Sequence, residues 1–477
     1  MDKEIIVFGV GSKIEEEILY IRSRGYEIKF FVDNDKSKWG TVFANCPVYS
    51  PTEIIDGYTG KTILISSEKF KVEIIAQLKD MGIYYDNCCI GLDDFEYRIS
   101  QTQYDCANIN KVKRNEDIFS VLYDSQVFSL QKQGGVSRYF YEIIKRMLKK
   151  DTSISLFKGV NNSIFDFEND KKYFLNYYSH YDDIGNINVK NDINAKMIKR
   201  FVACDGKFSI YHPTYYHEYG IGNYDRLVVT VYDMIHELYG IDRLTPLRKK
   251  RLINRADGII AISQHTKDDL INIYGIKDDQ IKVIYLANSL DYDVDEEAIV
   301  KSNYILFVGN RGGYKNGRLL MSAYAHSRIA KSYKLVFMGG GNFTFEEKRT
   351  IRELKIEKNT IQISGDDSVL ANLYKYAVCF VYPSSYEGFG LPLLEAMHYG
   401  TAVITSNSAS LPEVAGDAAL YFENGSEEDL IFALEKMTEN EEMRVDYARR
   451  GIEREKLFTW DKCADETYDY YLNLLKG

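Results

Sequence analysis

The sequence predicts an α/β protein made of three units, each built around a sheet of parallel strands. Short apolar runs such as Glu27–Val32, Tyr304–Val308 and Val378–Tyr382 alternate with segments of helical periodicity. Several runs end in glycine-containing turns, which are typical of strand-to-helix corners. The chain has 477 residues, too many for one hydrophobic core, so several domains are expected.

The composition is that of an ordinary globular protein, with 45% hydrophobic and 27% charged residues. A net charge of -10 argues against a dedicated nucleic-acid binder, because such proteins need a basic face to neutralise phosphates. Basic residues are dense only between Arg243 and Arg255. Two interpretations of that run stay open: a solvated helix face, or contact with an anionic lipid surface or a phosphate-bearing acceptor.

The seven cysteines are odd in number and lack paired metal-ligand spacing, so we expect neither disulfides nor zinc. The N-terminus has no charged segment followed by an apolar signal core, and no apolar run approaches the length of a membrane span. We therefore expect a cytoplasmic protein.

Residues 1–98 are predicted to form a small Rossmann-like unit. A strand from Glu4 leads into a Gly9-Val10-Gly11 turn, the helix Ile14–Arg24 and the strand Glu27–Val32. Ile14 stands where the dinucleotide fingerprint has its third glycine, which weakens the case for NAD. Asp33 lies about the right distance beyond the turn to bind a ribose hydroxyl, so NAD binding or a sensing role stays open. Residues 99–116 are polar and aperiodic and predict a linker.

Residues 117–295 are predicted to form a second unit. Its first strand begins at Ile118, and Gly134-Gly135 opens the helix that follows. Asp166–Asn194 is predicted to be a long loop or a small insertion. The further predicted strands are Phe208–Tyr211, Leu227–Val231, Gly258–Ile262 and Ile281–Tyr285.

Residues 296–477 are predicted to form a third unit, reached through the acidic stretch Asp291–Glu297. A last helix is expected after Phe458. The predicted strands are Tyr304–Val308, Lys334–Met338, Ile361–Ser364, Val378–Tyr382 and Ala402–Thr405.

The most informative segment is Ser385–Met397, which follows a predicted strand. Gly390 and Pro392 mark the start of a helix, whose unpaired N–H groups and dipole favour a phosphate. Glu387 and Glu395 would repel a bare phosphate, so hydroxyl groups are their expected partners. A ligand that offers both phosphates and hydroxyls is a nucleotide sugar. The alternative is a surface corner with solvated glutamates.

Glu387 and Glu395 lie eight residues apart, which resembles the E-x7-E signature of retaining glycosyltransferases of family four. Gly400–Ile404 and Leu411–Gly416 continue the likeness. The resemblance implies the GT-B fold, with two Rossmann-like domains and residues 1–98 as an appended Rossmann-like domain. In that fold the final helix crosses back from the third unit to the second. It also implies metal-independent transfer of a mannose- or glucose-like hexose from a nucleotide diphosphate sugar to a glycan or lipid-linked glycan, in cell-surface polysaccharide biosynthesis. No cofactor is expected, and contact with the inner face of a membrane stays open.

The same resemblance assigns roles to individual residues. Lys315 and Arg311 would face the pyrophosphate, Glu387 the transferred sugar and Glu395 the ribose. Relatives often carry a histidine where this chain has Tyr232, so Asp233 and His236 are the candidates to take over its sugar or acceptor contacts. The residues that the resemblance implies in donor binding are Gly134, Gly135, Gly340, Gly388, Phe389, Gly390, Leu391 and Glu395.

Other interpretations stay open. A nucleotide-sugar epimerase of the same two-domain shape is the alternative enzyme, although the intact E-x7-E pattern disfavours it. Ser263 is expected to cap a helix, and Asp366 and Asp367 are interpreted as a helix cap and not as ligands. The donor sugar, its nucleobase and the acceptor cannot be read from these motifs.

Overall fold

The computed structural model describes three open sheets of largely parallel strands with helices between them. Among the residues that the structure describes, no helix is both long and apolar enough to cross a bilayer. The described residues are 4–11, 14–23, 25–54, 61–67, 70–83, 88–92, 118–161, 163–165, 174–178, 194–195, 198–199, 202, 207–217, 219–294 and 297–476.

The first sheet belongs to the N-terminal unit. Its elements are β1 (Glu4–Phe8), α1 (Ile14–Ser23), β2 (Glu27–Val32), β3 (Val42–Phe43), β4 (Cys46–Tyr49), β5 (Thr62–Ile65), α2 (Lys71–Asp80) and β6 (Cys88–Ile90). The strand order is β3-β4-β2-β1-β5-β6, with only the β3–β4 pair antiparallel. The strands predicted around β1 and β2 are confirmed, whereas β3, β4 and β6 were not predicted. The predicted linker 99–116 lies outside the described residues.

The second sheet has seven parallel strands in the order β13-β12-β11-β10-β7-β8-β9. Its strands are β7 (Ser120–Tyr123), β8 (Ser153–Val160), β9 (Phe174–Tyr178), β10 (Phe208–His212), β11 (Tyr224–Val231), β12 (Gly258–Ala261) and β13 (Ile281–Val283). The helices between them are α3 (Gln126–Leu130), α4 (Gly135–Met147), α5 (Ile235–Tyr239), α6 (Leu244–Ile253) and α7 (Gln264–Tyr274).

Within the segment Asp166–Asn194, predicted as a long loop or a small insertion, residues Phe174–Tyr178 form a strand, so a loop is wrong for these residues. Main-chain pairing of Leu156 with Phe174 adds β9 to the sheet edge beside β8. Backbone pairing of this kind needs no hydrophobic period, so this strand could not be recognised from the residue pattern. Residues 166–173 and 179–193 lie outside the described part of the chain.

The third sheet has six parallel strands in the order β16-β15-β14-β17-β18-β19. Its strands are β14 (Tyr304–Val308), β15 (Lys334–Met338), β16 (Thr360–Ile363), β17 (Cys379–Tyr382), β18 (Val403–Ser406) and β19 (Ala419–Phe422). The helices are α8 (Gly317–His326), α9 (Phe345–Glu353), α10 (Asp367–Tyr376), α11 (Leu391–His398), α12 (Leu411–Ala415), α13 (Glu427–Glu439) and α14 (Glu441–Glu455). Five of these strands match the predicted ones within one or two residues.

The last helix, α15 (Trp460–Lys476), returns from the third unit to the second, as the resemblance implies. The Tyr471 hydroxyl lies 2.5 Å from His212 Nδ1 and 3.0 Å from the Tyr123 hydroxyl, both buried in the second unit. Burial lowers the pKa of His212 to about 3, so its ring stays neutral and can share a hydrogen bond with Tyr471. At the surface, Arg146 Nε donates to Asp461 Oδ1 at 2.6 Å. The return of α15 ties the two larger units together.

Candidate active site

The E-x7-E segment lies at the carboxyl end of β17, the central position of the third sheet. Gly390 caps α11 with φ of +105°, a conformation that favours glycine, and the helix begins at Leu391. Pro392 occupies the first turn, where a missing N–H costs nothing. The predicted helix N-terminus is therefore confirmed, at the sheet edge where α/β proteins bind ligands.

Lys315 and Glu387 form an ion pair at this edge. Lys315 Nζ donates to Glu387 Oε1 at 2.6 Å and to the Tyr382 hydroxyl at 3.0 Å. Glu387 is only 7% exposed, so the carboxylate depends on these partners. The structure thus brings together two residues predicted to share a site although 72 positions separate them.

Gly388 meets the second unit directly. A Cβ atom at this position would lie 1.7 Å from the carbonyl oxygen of Tyr232 and 3.1 Å from Cβ of Asp233. No residue with a side chain fits, so glycine is required here. Glu387 is thereby held beside the loop that follows β11.

Asp233 and His236 lie on that loop and on α5. Asp233 Oδ1 accepts a hydrogen bond from Ile235 N at 3.0 Å and so fixes the start of α5. His236 Nε2 lies 3.3 Å from Asp242 Oδ2, while its Nδ1 is buried without a hydrogen-bond partner among the described residues. The Tyr232 hydroxyl donates to Thr214 O in the core, so this residue does not replace a catalytic histidine.

The N-termini of α4 and α11 approach each other across the cleft. A Cβ atom on Gly135 would lie 3.5 Å from Leu391 Cδ1. Gly134 caps α4 in an extended conformation, and Gln131 Oε1 accepts from Ser137 N at 3.3 Å in its first turn. Two helix dipoles therefore point their positive ends into the same region.

Glu395 lies one turn inside α11, where its Oε2 accepts a hydrogen bond from the Tyr374 hydroxyl at 3.0 Å. Burial raises the pKa of Glu395, and the bond from Tyr374 and the charge of Arg138 offset part of that rise. Arg138 comes from α4, so Glu395 also faces the second unit. Phe389, in contrast, is buried against Phe458 and Tyr285 and packs within the core.

Arg311 is buried and forms hydrogen bonds within the third unit. It is 5% exposed, and its Nε donates to Glu347 Oε1 at 2.7 Å. Its terminal nitrogens donate to the carbonyl oxygens of Gly339, Gly340, Gly341 and Asn342. With its donors engaged in this way, Arg311 holds the glycine loop, and a contact of Arg311 with the pyrophosphate stays a prediction.

Gly340 lies against the side chain of Arg311. Its φ is +67°, and a Cβ atom would lie 2.8 Å from Arg311 Nη1. The close approach that the bare glycine permits is therefore made by Arg311 in this structure. A donor contact of Gly340 stays a prediction.

Sequence reasoning missed several residues that join the two larger units. The Tyr386 hydroxyl donates to Asp269 Oδ2 at 2.5 Å and accepts from Met234 N at 3.2 Å. Glu413, in the Leu-Pro-Glu-Val segment noted above, accepts from the main-chain nitrogens of Gln264 and His265. The sequence marked the segments of Tyr386 and Glu413 but gave no sign of partners more than 100 positions away.

A second contact between these units involves α10. Asp366 caps this helix as predicted, with Oδ1 accepting from Ser368 N at 3.0 Å. Asp367, predicted only as part of a cap, instead accepts from Arg138 Nη2 at 2.6 Å and from Gln133 Nε2 at 2.8 Å. Ser263 caps α7 as predicted, through Thr266 N.

Lys249 belongs to the basic run for which a solvated face and an anionic contact were both left open, but its side chain is fully buried and serves neither. Its Nζ donates to Glu237 Oε2 at 2.9 Å and to the carbonyl oxygen of Asp233 at 2.8 Å. The Tyr274 hydroxyl donates to the other oxygen of Glu237. Lys249 thus anchors the loop that meets Gly388.

In the N-terminal unit, the carboxylate of Asp33 is used internally. Oδ2 accepts from Val10 N at 2.7 Å and from Lys38 Nζ at 3.0 Å, and Oδ1 accepts from Asp35 N at 2.8 Å. These bonds hold the glycine turn against β2. They give Asp33 a structural role and leave the NAD interpretation without support from this residue.

Comparison with known families agrees with this geometry. A family model described as glycosyl transferases group 1 matches residues 291–454, and one described as glycosyltransferase family 4 matches residues 133–291. A third, described as C2185-like, N-terminal, matches residues 1–89.

Two relatives show how far the likeness extends. O-antigen chain mannosyltransferase B of Escherichia coli is 27% identical over 384 residues, which are 71% of this chain and 95% of that protein. N-acetylgalactosamine-N,N'-diacetylbacillosaminyl-diphospho-undecaprenol 4-alpha-N-acetylgalactosaminyltransferase of Campylobacter jejuni is 30% identical over 265 residues, 53% of this chain and 71% of that protein.

Solved structures show the same GT-B architecture. Sucrose-phosphate synthase of Thermosynechococcus elongatus superposes with a TM-score of 0.61 at 18% identity and covers 75% of this chain and 99% of its own. Anabaena Alr3699/HepE in complex with UDP and glucose superposes with a TM-score of 0.58 at 15% identity, over 74% and 99% of the two chains. At these identities the likeness establishes the fold alone.

The placement of Arg311 generates a prediction for the ligand-free protein. Arg311→Lys keeps the charge but cannot reach Glu347 and four carbonyl groups together. We expect the free energy of unfolding to fall by about 1.5–3 kcal/mol, the scale of hydrogen bonds to charged groups. Urea denaturation without ligand measures it, and Arg318→Lys, at an exposed site of the adjoining helix, serves as the matched control. Unchanged stability combined with a raised KM for the donor would instead support a pyrophosphate contact.

Proposed function

Because the chain belongs to the group 1 glycosyl transferases with the GT-B fold, we propose that it is a retaining, metal-independent hexosyltransferase. It transfers a mannose- or glucose-like sugar from a nucleotide diphosphate sugar to a glycan or lipid-linked glycan during cell-surface polysaccharide biosynthesis. The names of the relatives, among them O-antigen mannosyltransferases of Escherichia coli and Salmonella, support this class of sugar and product.

The observation that carries the proposal is the Lys315–Glu387 pair beside the N-terminus of α11. A nucleotide diphosphate sugar carries negative phosphates next to a neutral polyhydroxyl ring. Lys315 and the helix dipole offer positive charge to the phosphates, and Glu387 offers an acceptor to the sugar hydroxyls. The site thus presents complementary groups to both parts of such a donor.

We assign the reaction a front-face course. The acceptor hydroxyl oxygen bonds to the anomeric carbon while the bond from that carbon to the β-phosphate oxygen breaks on the same face. The acceptor proton passes to a β-phosphate oxygen, which leaves a glycoside and a nucleoside diphosphate. Charge grows on the departing phosphate, so Lys315 stabilises the transition state more than the bound donor.

The remaining residues complete the proposed site. Glu395 binds the ribose, and the main chain of Gly388, Gly390 and Leu391 lies along the diphosphate. Asp233 and His236 contact the acceptor or the sugar from the opposite side of the cleft. His236 Nδ1 has no hydrogen-bond partner in the described part of the chain, which is consistent with a bond that forms with substrate. In this assignment residues 117–295 form the acceptor domain and 296–477 the donor domain.

The first prediction from this proposal concerns Glu387. Glu387→Gln should fold normally, since the amide keeps the side-chain volume and still accepts from Lys315. It should lose most transfer activity, because the charge that binds the sugar is gone. Transfer is measured with the nucleotide sugar that raises the melting temperature most, and the exposed Glu428→Gln is the control.

Lys315→Ala removes the cation that faces the departing phosphate in this proposal. It should lower kcat/KM by an amount that corresponds to about 1.5–3 kcal/mol of activation free energy, whereas the exposed Lys331→Ala should leave kcat/KM unchanged. Near-native turnover of both Glu387→Gln and Lys315→Ala would contradict the assignment of these two residues to the active site.

A second prediction follows from the proposed use of Lys315 and helix dipoles in place of a cation. Transfer should continue at an unchanged rate in excess EDTA. The control is a metal-dependent glycosyltransferase assayed in the same buffer. Complete loss that magnesium or manganese restores would reveal a cation requirement and overturn the metal-independent assignment.

A third prediction concerns residues 1–98. The residues assigned to chemistry all lie beyond residue 117, so a protein that begins near Asn115 should remain soluble and transfer the donor sugar. Circular dichroism and the melting temperature show whether it is folded. A folded but inactive protein would mean that the N-terminal unit contributes to the active site or to a required assembly.

A further inference from the structure

A group of exposed apolar side chains lies on the second unit between the end of α5 and the middle of α6. Its members are Leu238 (50% exposed), Tyr239 (44%), Ile241 (57%), Leu244 (59%) and Leu247 (55%). Five large exposed hydrophobic residues within ten positions exceed the scattered pattern expected of a solvated surface. Residues 238–251 are called the ridge below.

The ridge combines these apolar groups with cations. On α6, Leu244, Leu247 and Arg251 share one face because they are spaced by three and four residues. The opposite face carries Lys249 and Leu252, which are buried against the second unit. The helix therefore turns its apolar and cationic side chains outward together, the reverse of the usual solvated helix.

The outer side of the ridge is mainly cationic. Arg243, Lys250 and Arg251 are exposed. Asp242 is the one acid among residues 238–251; its side chain is 39% exposed, and its Oδ1 accepts from Leu244 N and Thr245 N. Glu237 is bonded to buried Lys249. This cationic strip stands on a chain of net charge -10.

A surface that is both apolar and anionic complements the ridge. The interface of a phospholipid bilayer with acidic headgroups has this character, because leucine, isoleucine and tyrosine enter the acyl boundary while lysine and arginine remain at the phosphates. We infer that residues 238–251 dock the protein on an anionic membrane surface.

The ridge also reaches the proposed active site. The ring centre of Tyr239 lies 5.3 Å from that of Tyr314 and 6.2 Å from that of Tyr386. Tyr314 and Tyr386 adjoin Lys315 and Glu387 in the chain. A lipid-linked acceptor held in the membrane would meet the cleft at this edge; this consequence rests on the proposed function, whereas membrane docking itself does not.

The test is sedimentation of the full-length protein with vesicles. Binding is compared between vesicles of phosphatidylcholine alone and vesicles of phosphatidylcholine with phosphatidylglycerol in a two-to-one ratio. We expect binding to the anionic vesicles, at least ten-fold weaker binding to the neutral ones, and a further loss at high salt. The absence of binding to both kinds of vesicle would overturn the inference.

Two variants locate the surface. Leu244→Ser with Leu247→Ser should weaken binding to the anionic vesicles at least ten-fold, and Lys250→Gln with Arg251→Gln should remove the preference for them. Phe432→Ser with Val445→Ser alters equally exposed apolar residues of α13 and α14 and should bind as the unaltered protein does. Equal binding of the anionic vesicles by all three variants would contradict the assignment of membrane docking to the ridge.

Two further measurements separate other outcomes. Melting temperatures and transfer to a soluble acceptor should be unchanged in the ridge variants. If transfer fails in the unaltered protein while vesicle binding holds, the proposed function is wrong and the docking surface stands. A dimer in solution that Leu244→Ser with Leu247→Ser converts to a monomer, without vesicle binding, would show that a second copy covers the ridge.

Discussion

The contact between Gly388 and the carbonyl oxygen of Tyr232 is the constraint on which the site depends. It brings the carboxyl edge of the third sheet against that of the second and leaves no room for a side chain at residue 388. Glu387 on one side and Asp233 on the other are placed by this contact. The glycine in the Glu-Gly-Phe-Gly segment is therefore explained by the approach of two domains, and Lys249 supports it by holding the Asp233 carbonyl from behind.

Two further contacts across the cleft are polar. Glu413 accepts from the first N–H groups of α7, and Asp367 pairs with Arg138 of α4. A carboxylate at a helix N-terminus and a partly exposed ion pair each contribute on the order of 1 kcal/mol or less. Such contacts define a closed geometry without fixing it, unlike the hydrophobic packing of α15. A ligand that adds a few more bonds across the cleft can therefore decide whether the domains close.

The sequence predicted best what depends on neighbouring residues. The strands around Tyr304–Val308 and Val378–Tyr382 are buried apolar runs, and the start of α11 is marked by Gly390 and Pro392. It failed where a partner is distant in the chain. The sequence pattern indicated a phosphate ligand at Arg311 and did not show that this side chain donates to carbonyl groups 28 to 31 positions away. The basic run likewise did not show that Lys249 is buried and donates to Glu237 and to the Asp233 carbonyl.

In the proposed function, the Lys315–Glu387 pair lets two opposite charges serve a single donor. In the free protein each charge satisfies the other, which limits the cost of keeping both away from water. Under the same proposal, an arriving diphosphate would give Lys315 a second anion to bind, and the sugar hydroxyls would give Glu387 new donors. The exchange replaces one set of charged hydrogen bonds by another, so little free energy is lost in freeing either group. Because both side chains are already held in place, reorganisation at the moment of transfer is small, and the binding energy of the donor is available to the growing charge on its phosphate.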